Sequence, residues 1–126
     1  MREILFRAKR TDTDAWIEGN YLNDEEIAYI SGFIYNNTIF GFEKIPFKCQ
    51  VIPETVSEYI GLTDKNGRKI FEHDLLKDEF GFIHEVYFDD GCFMRKCGLR
   101  SSSLATTHCA LVVVGNIFDN PELLNQ

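Results

Sequence analysis

The chain lacks any apolar run near the roughly 20 residues that a membrane-spanning helix needs. Its opening, MREILFRAKR, scatters charges where a secretory leader needs an unbroken apolar stretch, so a cytosolic protein without membrane association is expected. No G-x-x-x-x-G-K or G-x-G-x-x-G segment is present to cradle a phosphate. No G-x-S-x-G elbow or cysteine-enzyme signature presents a nucleophile. No second CxxC pair completes a zinc knuckle. Long segments of helical period, internal repeats and low-complexity tracts are also missing. These absences remove nucleotide-loop enzymes, the common hydrolase scaffolds, helical bundles and solenoids, and they leave no cofactor to expect.

What is present is a chain able to fold on its own core. At 126 residues with 44% hydrophobic and 13% aromatic content, including 11 Phe, one compact domain can bury roughly two-thirds of its unfolded surface. The formal net charge of −7 opposes bulk attraction to nucleic acid and anionic membranes. In a reducing cytosol the four cysteines are free thiols.

Alternation of apolar and polar residues marks short strands. Residues 2–9 read as one. Residues 15–22, AWIEGNYL, read as a second, with Gly19 as a bulge. Further strands are expected at 27–35, 38–42 and 47–52, with Asn36-Asn37 as a turn between the first two. Pro53 opens one helical turn. Residues 59–62 and 69–71 flank the turn Asp64-Lys65-Asn66-Gly67, whose Asn-Gly pair is the strongest short-range hairpin signal. Residues 80–88 alternate in part, and the chain turns at Asp89-Asp90-Gly91. Residues 98–107, GLRSSSLATT, read as a mobile loop. CALVVV, 109–114, reads as a strand buried on both faces. Asn120-Pro121 begins a terminal helical turn. The expected class is mainly β: short antiparallel strands in barrel-like halves with a few helical turns, the alternative being α+β. A weak division near 53–62 separates two β-rich subdomains within the single domain 1–126.

Several groupings carry possible chemistry. Cys92 and Cys97 have a zinc-compatible spacing, with His108-Cys109 downstream; adjacent strand residues face opposite ways, which weakens the set. Cys49 and Cys109 sit among apolar neighbours and read as small hydrophobes. Glu72, Asp74, Asp78 and Glu79 cluster, as do Asp89 and Asp90, and such carboxylates serve turns and solvation as readily as magnesium or proton transfer. Ser101, Ser102 and Ser103 lack a defined base. Basic residues group at Arg2, Arg7, Lys9 and Arg10, at Lys65, Arg68 and Lys69, and at Arg95, Lys96 and Arg100, each diluted by acids. Trp16 reads as core. The aromatic strands exceed what one small core needs, and any exposed surplus favours self-association.

Three segments together resemble the YopX protein family of phages and prophages of Gram-positive bacteria: MREILFRAKR with AWIEGNYL, PETVSEYIGLTDKNGRKIFEHDLLK, and VVVGNIFDNPELL. The resemblance implies a β-rich fold, the cytoplasm of a bacterial host and a homo-oligomer. It carries no established activity and no catalytic residue. The family's usual glycine is His73 here. If φ is positive at that point, histidine is costly. The leading expectation is a non-enzymatic accessory protein acting through self-assembly or contacts with a phage or host protein. The alternatives are a nucleic-acid-associated small barrel using Lys65, Arg68 and Lys69, and a metal-dependent enzyme using Cys92, Cys97 and His108 or Glu72 and Asp74.

Overall fold

The computed structural model describes residues 3–105 and 107–125. Arg2, in the expected first strand and basic group, and Thr106, in the expected loop, lie outside the described residues. The chain divides into two compact units, Ile4–Glu58 and, together with Glu3, the residues from Tyr59 onward.

The first unit is an antiparallel meander of β1 (Phe6–Lys9), β2 (Trp16–Asp24), β3 (Ile27–Thr38) and β4 (Gly41–Val51), in the spatial order β4-β3-β2-β1. Its core is small: Ala8, Ala28, Ile30 and Val51, with Phe6, Ile17, Tyr21, Phe47 and Val56 packed around them. Ala28 and Ile30 lie two residues apart on one face of β3, as the pleat requires. Gly19 pairs with Phe6 in an unbroken register, so no bulge forms there against β1. Glycine is needed instead because a Cβ would run into the Ser31 carbonyl oxygen of β3. A 3-10 turn at Pro53–Thr55 follows. Then β5 (Ser57–Thr63) begins, and its Ser57 and Glu58 pair with β1.

The second unit takes the rest of β5 and β6 (Lys69–Phe71), β7 (Asp74–Lys77), β8 (Ile83–Asp89), β9 (Cys92–Cys97), β10 (Arg100–Ser103) and β11 (Val112–Asn116). The last five form an antiparallel sheet ordered β10-β9-β8-β7-β11. Its core gathers Ile60 and Ile70 from the β5–β6 pair with Leu76, Val86, Leu104, Leu111 and Val113. The β8–β9 turn is Asp90-Gly91, both at positive φ, the two-residue geometry that twisted hairpins favour. The fold is mainly β, as expected, but its sheets are open and do not close into barrels.

Four local expectations are corrected. Asn36-Asn37 is not a turn: β3 runs through both, and the chain reverses at Ile39-Phe40. Long apolar–aromatic strands paired residue for residue outweigh the local turn preference of asparagine. Arg100–Ser103 is a strand, not a loop, paired with β9, and Leu104 beyond it is fully buried. Cys109 is exposed, in a 3-10 turn at His108–Ala110. In β11 Val113 is buried and Val114 exposed, because β11 is the sheet's edge and packs on one face only.

One carboxylate holds the second unit together. Asp64 is buried, and its Oδ1 accepts the amides of Asn66 and Arg68, each at 2.9 Å. Its Oδ2 accepts the Val113 amide at 2.9 Å, and the next residue's amide, Lys65, donates to the Leu111 carbonyl. The hairpin loop and β11 are thus fastened through a single side chain. Burial pushes the Asp64 carboxyl up, but the amides of Val113, Arg68 and Asn66 and the charge of Arg68 outweigh it and hold it below the ordinary 3.8. At the other end of β11, Asn116 Oδ1 accepts the amides of Phe118 and Asp119, and Asn120 Oδ1 accepts that of Asn116. A Cβ at Gly115 would collide with the Asn120 side chain.

His73 has φ of 70°, the left-handed conformation glycine adopts freely. The backbone is clamped there: the His73 amide donates to Val86 O and the His73 carbonyl accepts from the Ile117 amide, each at 3.0 Å. The imidazole packs edge-on against Phe118, with centroids 5.2 Å apart, a contact glycine lacks.

Asp64→Ala strands three amides and should destabilise the protein by about 3 kcal/mol in urea titrations. Because folding depresses the Asp64 pKa, its contribution is present above the unfolded value of 3.8 and is lost as pH falls below it toward the folded-state value. Asp64→Asn should flatten that acid-side slope. His73→Ala keeps the strain and loses the Phe118 contact, whereas His73→Gly removes the strain. The glycine variant should be the more stable of the two by about 1 kcal/mol in thermal melts.

Candidate functional site

The metal candidates are not brought together. Cys92 and Cys97 sit at opposite ends of β9, and an odd separation turns them to opposite faces of the strand. His108 points its Nδ1–H at the Thr63 carbonyl, 2.7 Å away. Among the described residues no group of three or more His, Cys, Asp or Glu is placed to hold a metal ion. Asp74 is buried and accepts the Phe71 amide at 2.8 Å, closing the turn that contains Glu72 and His73.

The basic group at the β5–β6 turn is spread out. Lys65 and Arg68 are exposed at the loop. Lys69 pairs with Glu3 at 3.1 Å and lies 5.5 Å from the Tyr59 ring. Trp16 is half-buried, with the Arg7 guanidinium 4.9 Å from its ring centre. Ser101 accepts from the Tyr87 hydroxyl at 2.9 Å, and Ser103 accepts the Ala105 amide.

Two features stand out instead. The first is a cleft of ≈ 730 Å³ in the second unit, lined by Asp78, Phe80, Phe82, His84, Arg95, Cys97, Leu99, Arg100 and Ser102. Its frame follows from sheet register. Arg95 of β9 stands opposite Val86 of β8, so His84, two residues earlier, is its diagonal neighbour on the same face. Asp78, just past β7, reaches His84 Nε2 with Oδ2 at 2.9 Å. Its Oδ1 accepts the amides of Phe80 and Phe82, each at 2.9 Å. Desolvation pushes the Asp78 carboxyl up, but bonds from His84 and these two amides prevail and leave it below the ordinary 3.8. An ionised Oδ2 accepts, so His84 Nε2 carries the proton.

The second feature is the far half of the β3–β4 hairpin. Beyond Ser31, β3 has no partner strand except β4 among the described residues. Every residue from 33 to 46 is exposed. One face carries Phe33, Tyr35, Phe42 and Pro46; the other carries Ile34 and Ile45. Tyr35 and Phe42 stack at 5.4 Å, and Lys44 Nζ lies 4.0 Å from the Phe33 ring. At the tip, Ile39 and Phe40 are 94% and 95% exposed.

The cleft does not follow from sequence pattern, whereas the hairpin is anticipated in part by the aromatic surplus of the strands and its expected role in self-association. Asp78 appeared only as one carboxylate of a cluster, and Arg95 only as one member of a basic group. The available signal was the run Asp78-Glu79-Phe80-Gly81-Phe82, an Asx turn that fixes two aromatic rings beside the strand carrying His84. For the hairpin the signal was the uninterrupted aromatic pattern across Asn36-Asn37.

Among the described residues no helix is long and apolar enough to cross a membrane. No curated protein matches the chain. Among solved structures, protein EF1440 from Enterococcus faecalis is similar over 98% of this chain and 99% of its own, at 25% identity and a TM-score of 0.65. Residues 5–125 match the family described as YopX protein. That span takes in β1, the Asp64 hairpin and the Gly115–Asn120 closure, so the chain belongs to the YopX protein family.

Proposed function

We propose that the protein is a phage or prophage accessory protein of the bacterial cytoplasm that works through self-association, with the far half of the β3–β4 hairpin docking on a second copy of this chain. The observation that carries the reading is the apolar character of residues 33–46 on both faces and at the tip. A lone two-stranded hairpin is marginal in water and gains stability from a third strand or a packed face. Here both strand edges beyond Ser31 are open, which is the situation soluble proteins avoid unless the edge is used.

Area and charge both fit a second copy. With 150–250 Å² per aromatic side chain, the exposed parts of Phe33, Ile34, Tyr35, Ile39, Phe40, Phe42 and Ile45 amount to roughly 800 Å², what each partner contributes to a standard interface. The chain's charge of −7 repels a second copy at a distance, but residues 33–46 contain only Glu43 and Lys44 as charges and are locally neutral. A two-fold interface sets the same patch against itself, and this is the patch where that costs least. The family resemblance supplies the phage setting.

Light scattering after size exclusion should give the wild-type protein a mass above one chain. Ile39→Asp with Phe40→Asp should weaken association by about thirtyfold or more, while the melting temperature of dilute protein changes little because both residues are exposed. A wild-type protein that stays monomeric when concentrated, or a variant with unchanged mass, would falsify the reading.

A further inference from the structure

The second unit's cleft holds cations that the protein's own contacts do not neutralise. Arg95 is half-buried, and its Nε donates to the Thr107 hydroxyl at 3.1 Å. Its Nη1 lies 3.1 Å from His84 Nδ1 and 3.5 Å from Nε2. With the proton on Nε2, His84 Nδ1 is the acceptor, and Arg95 Nη1 donates to it. Among the described residues, the second N–H of Nη1 and both N–H groups of Nη2 meet no other acceptor. Among the described residues no carboxylate lies within ion-pair distance of Arg95 or of Arg100. Asp78, the carboxylate of the same cleft, is already committed to His84, Phe80 and Phe82.

The apolar side of the cleft is equally specific. Phe80 and Phe82 are 78% and 60% exposed, and Leu99 is fully exposed. The two rings are not on a loose loop: Asp78 Oδ1 fixes both of their amides. The Asp78 amide also donates to Phe82 O and the Gly81 amide to Asp78 O. A rigid turn therefore presents two aromatic rings at the mouth of a cleft whose size suits a small ligand. Ser102 adds a hydroxyl to the lining.

We propose that this cleft binds a small amphipathic anion, a carboxylate or phosphate head on an aromatic or branched apolar body. The head meets the guanidinium groups of Arg95 and Arg100, whose forked donors match either oxyanion. The body lies against Phe80, Phe82 and Leu99, where burial of apolar surface adds affinity. Asp78 and His84 act as positioning residues: the carboxylate orients the imidazole, and the imidazole Nδ1 accepts from the Arg95 guanidinium and holds it in place.

The test is heteronuclear NMR titration of the full chain with phenyl phosphate, benzoate, phenol and inorganic phosphate. At least one of the two aromatic anions should give saturable shifts confined to residues 78–84 and 95–102, and which one does so identifies the head group. Phenol and inorganic phosphate should each bind more weakly, since each lacks half of the ligand. Arg100→Gln, at an exposed position, should keep the spectrum elsewhere and raise the dissociation constant roughly tenfold. Phe80→Ser, also exposed, should weaken the aromatic anions but not inorganic phosphate. The proposal is overturned if neither aromatic anion saturates at millimolar concentration, if phenol binds as well as the anions, or if Arg100→Gln binds unchanged.

Discussion

The carboxylate of Asp64 is the constraint on which the larger unit depends. It reaches in two directions, to its own hairpin loop through Asn66 and Arg68 and to β11 through Val113. Those bonds join the β5–β6 pair to the edge strand of the five-stranded sheet, and the core of Ile60, Ile70, Leu76, Val86, Leu111 and Val113 lies between these pieces. A buried carboxylate is costly without donors and strongly held with three amides. The same logic recurs through the unit: Asp74 closes its turn through Phe71, Asp78 holds Phe80 and Phe82, and Asn116 holds Phe118 and Asp119. Short strands with small cores are kept in register by polar side chains that grip backbone amides.

The smaller unit is built differently. It has a four-residue buried core and sends its two longest strands well beyond it. Beyond that core the hairpin exposes aromatic residues on one face and isoleucines on the other, with open edges. That distribution does little for the isolated unit, since the apolar side chains from Phe33 to Ile45 remain in water. It becomes useful when a second surface covers them. The contrast between a hairpin wired by Asp64 and one left bare is the basis for assigning one to architecture and the other to association.

How much of this was legible depended on whether the signal was local. The β class and the DKNG hairpin follow from alternation and turn chemistry over a few residues. The left-handed backbone at His73 was legible as an anomaly, but what tolerates it was not: the clamp from Val86 and Ile117 and the ring contact with Phe118 come from segments far apart in sequence. The cleft was invisible for the same reason, since His84 and Arg95 meet only through the β8–β9 register. Serine-rich 100–103 reads as a loop because polarity on a two-sided edge strand looks the same as polarity in a loop. Asn36-Asn37 reads as a turn, and pairing across an entire hairpin overrides that local preference.

The central claim is that residues 33–46 are covered by a second copy of the chain. Hydrogen exchange read by mass spectrometry on the peptide spanning those residues, at dilute and concentrated protein, tests it most directly. Slower exchange in that peptide at the higher concentration, with peptides around Asp64 and β11 unchanged, is the result the account predicts. Identical exchange at both concentrations, with only the one-chain mass present, would contradict it.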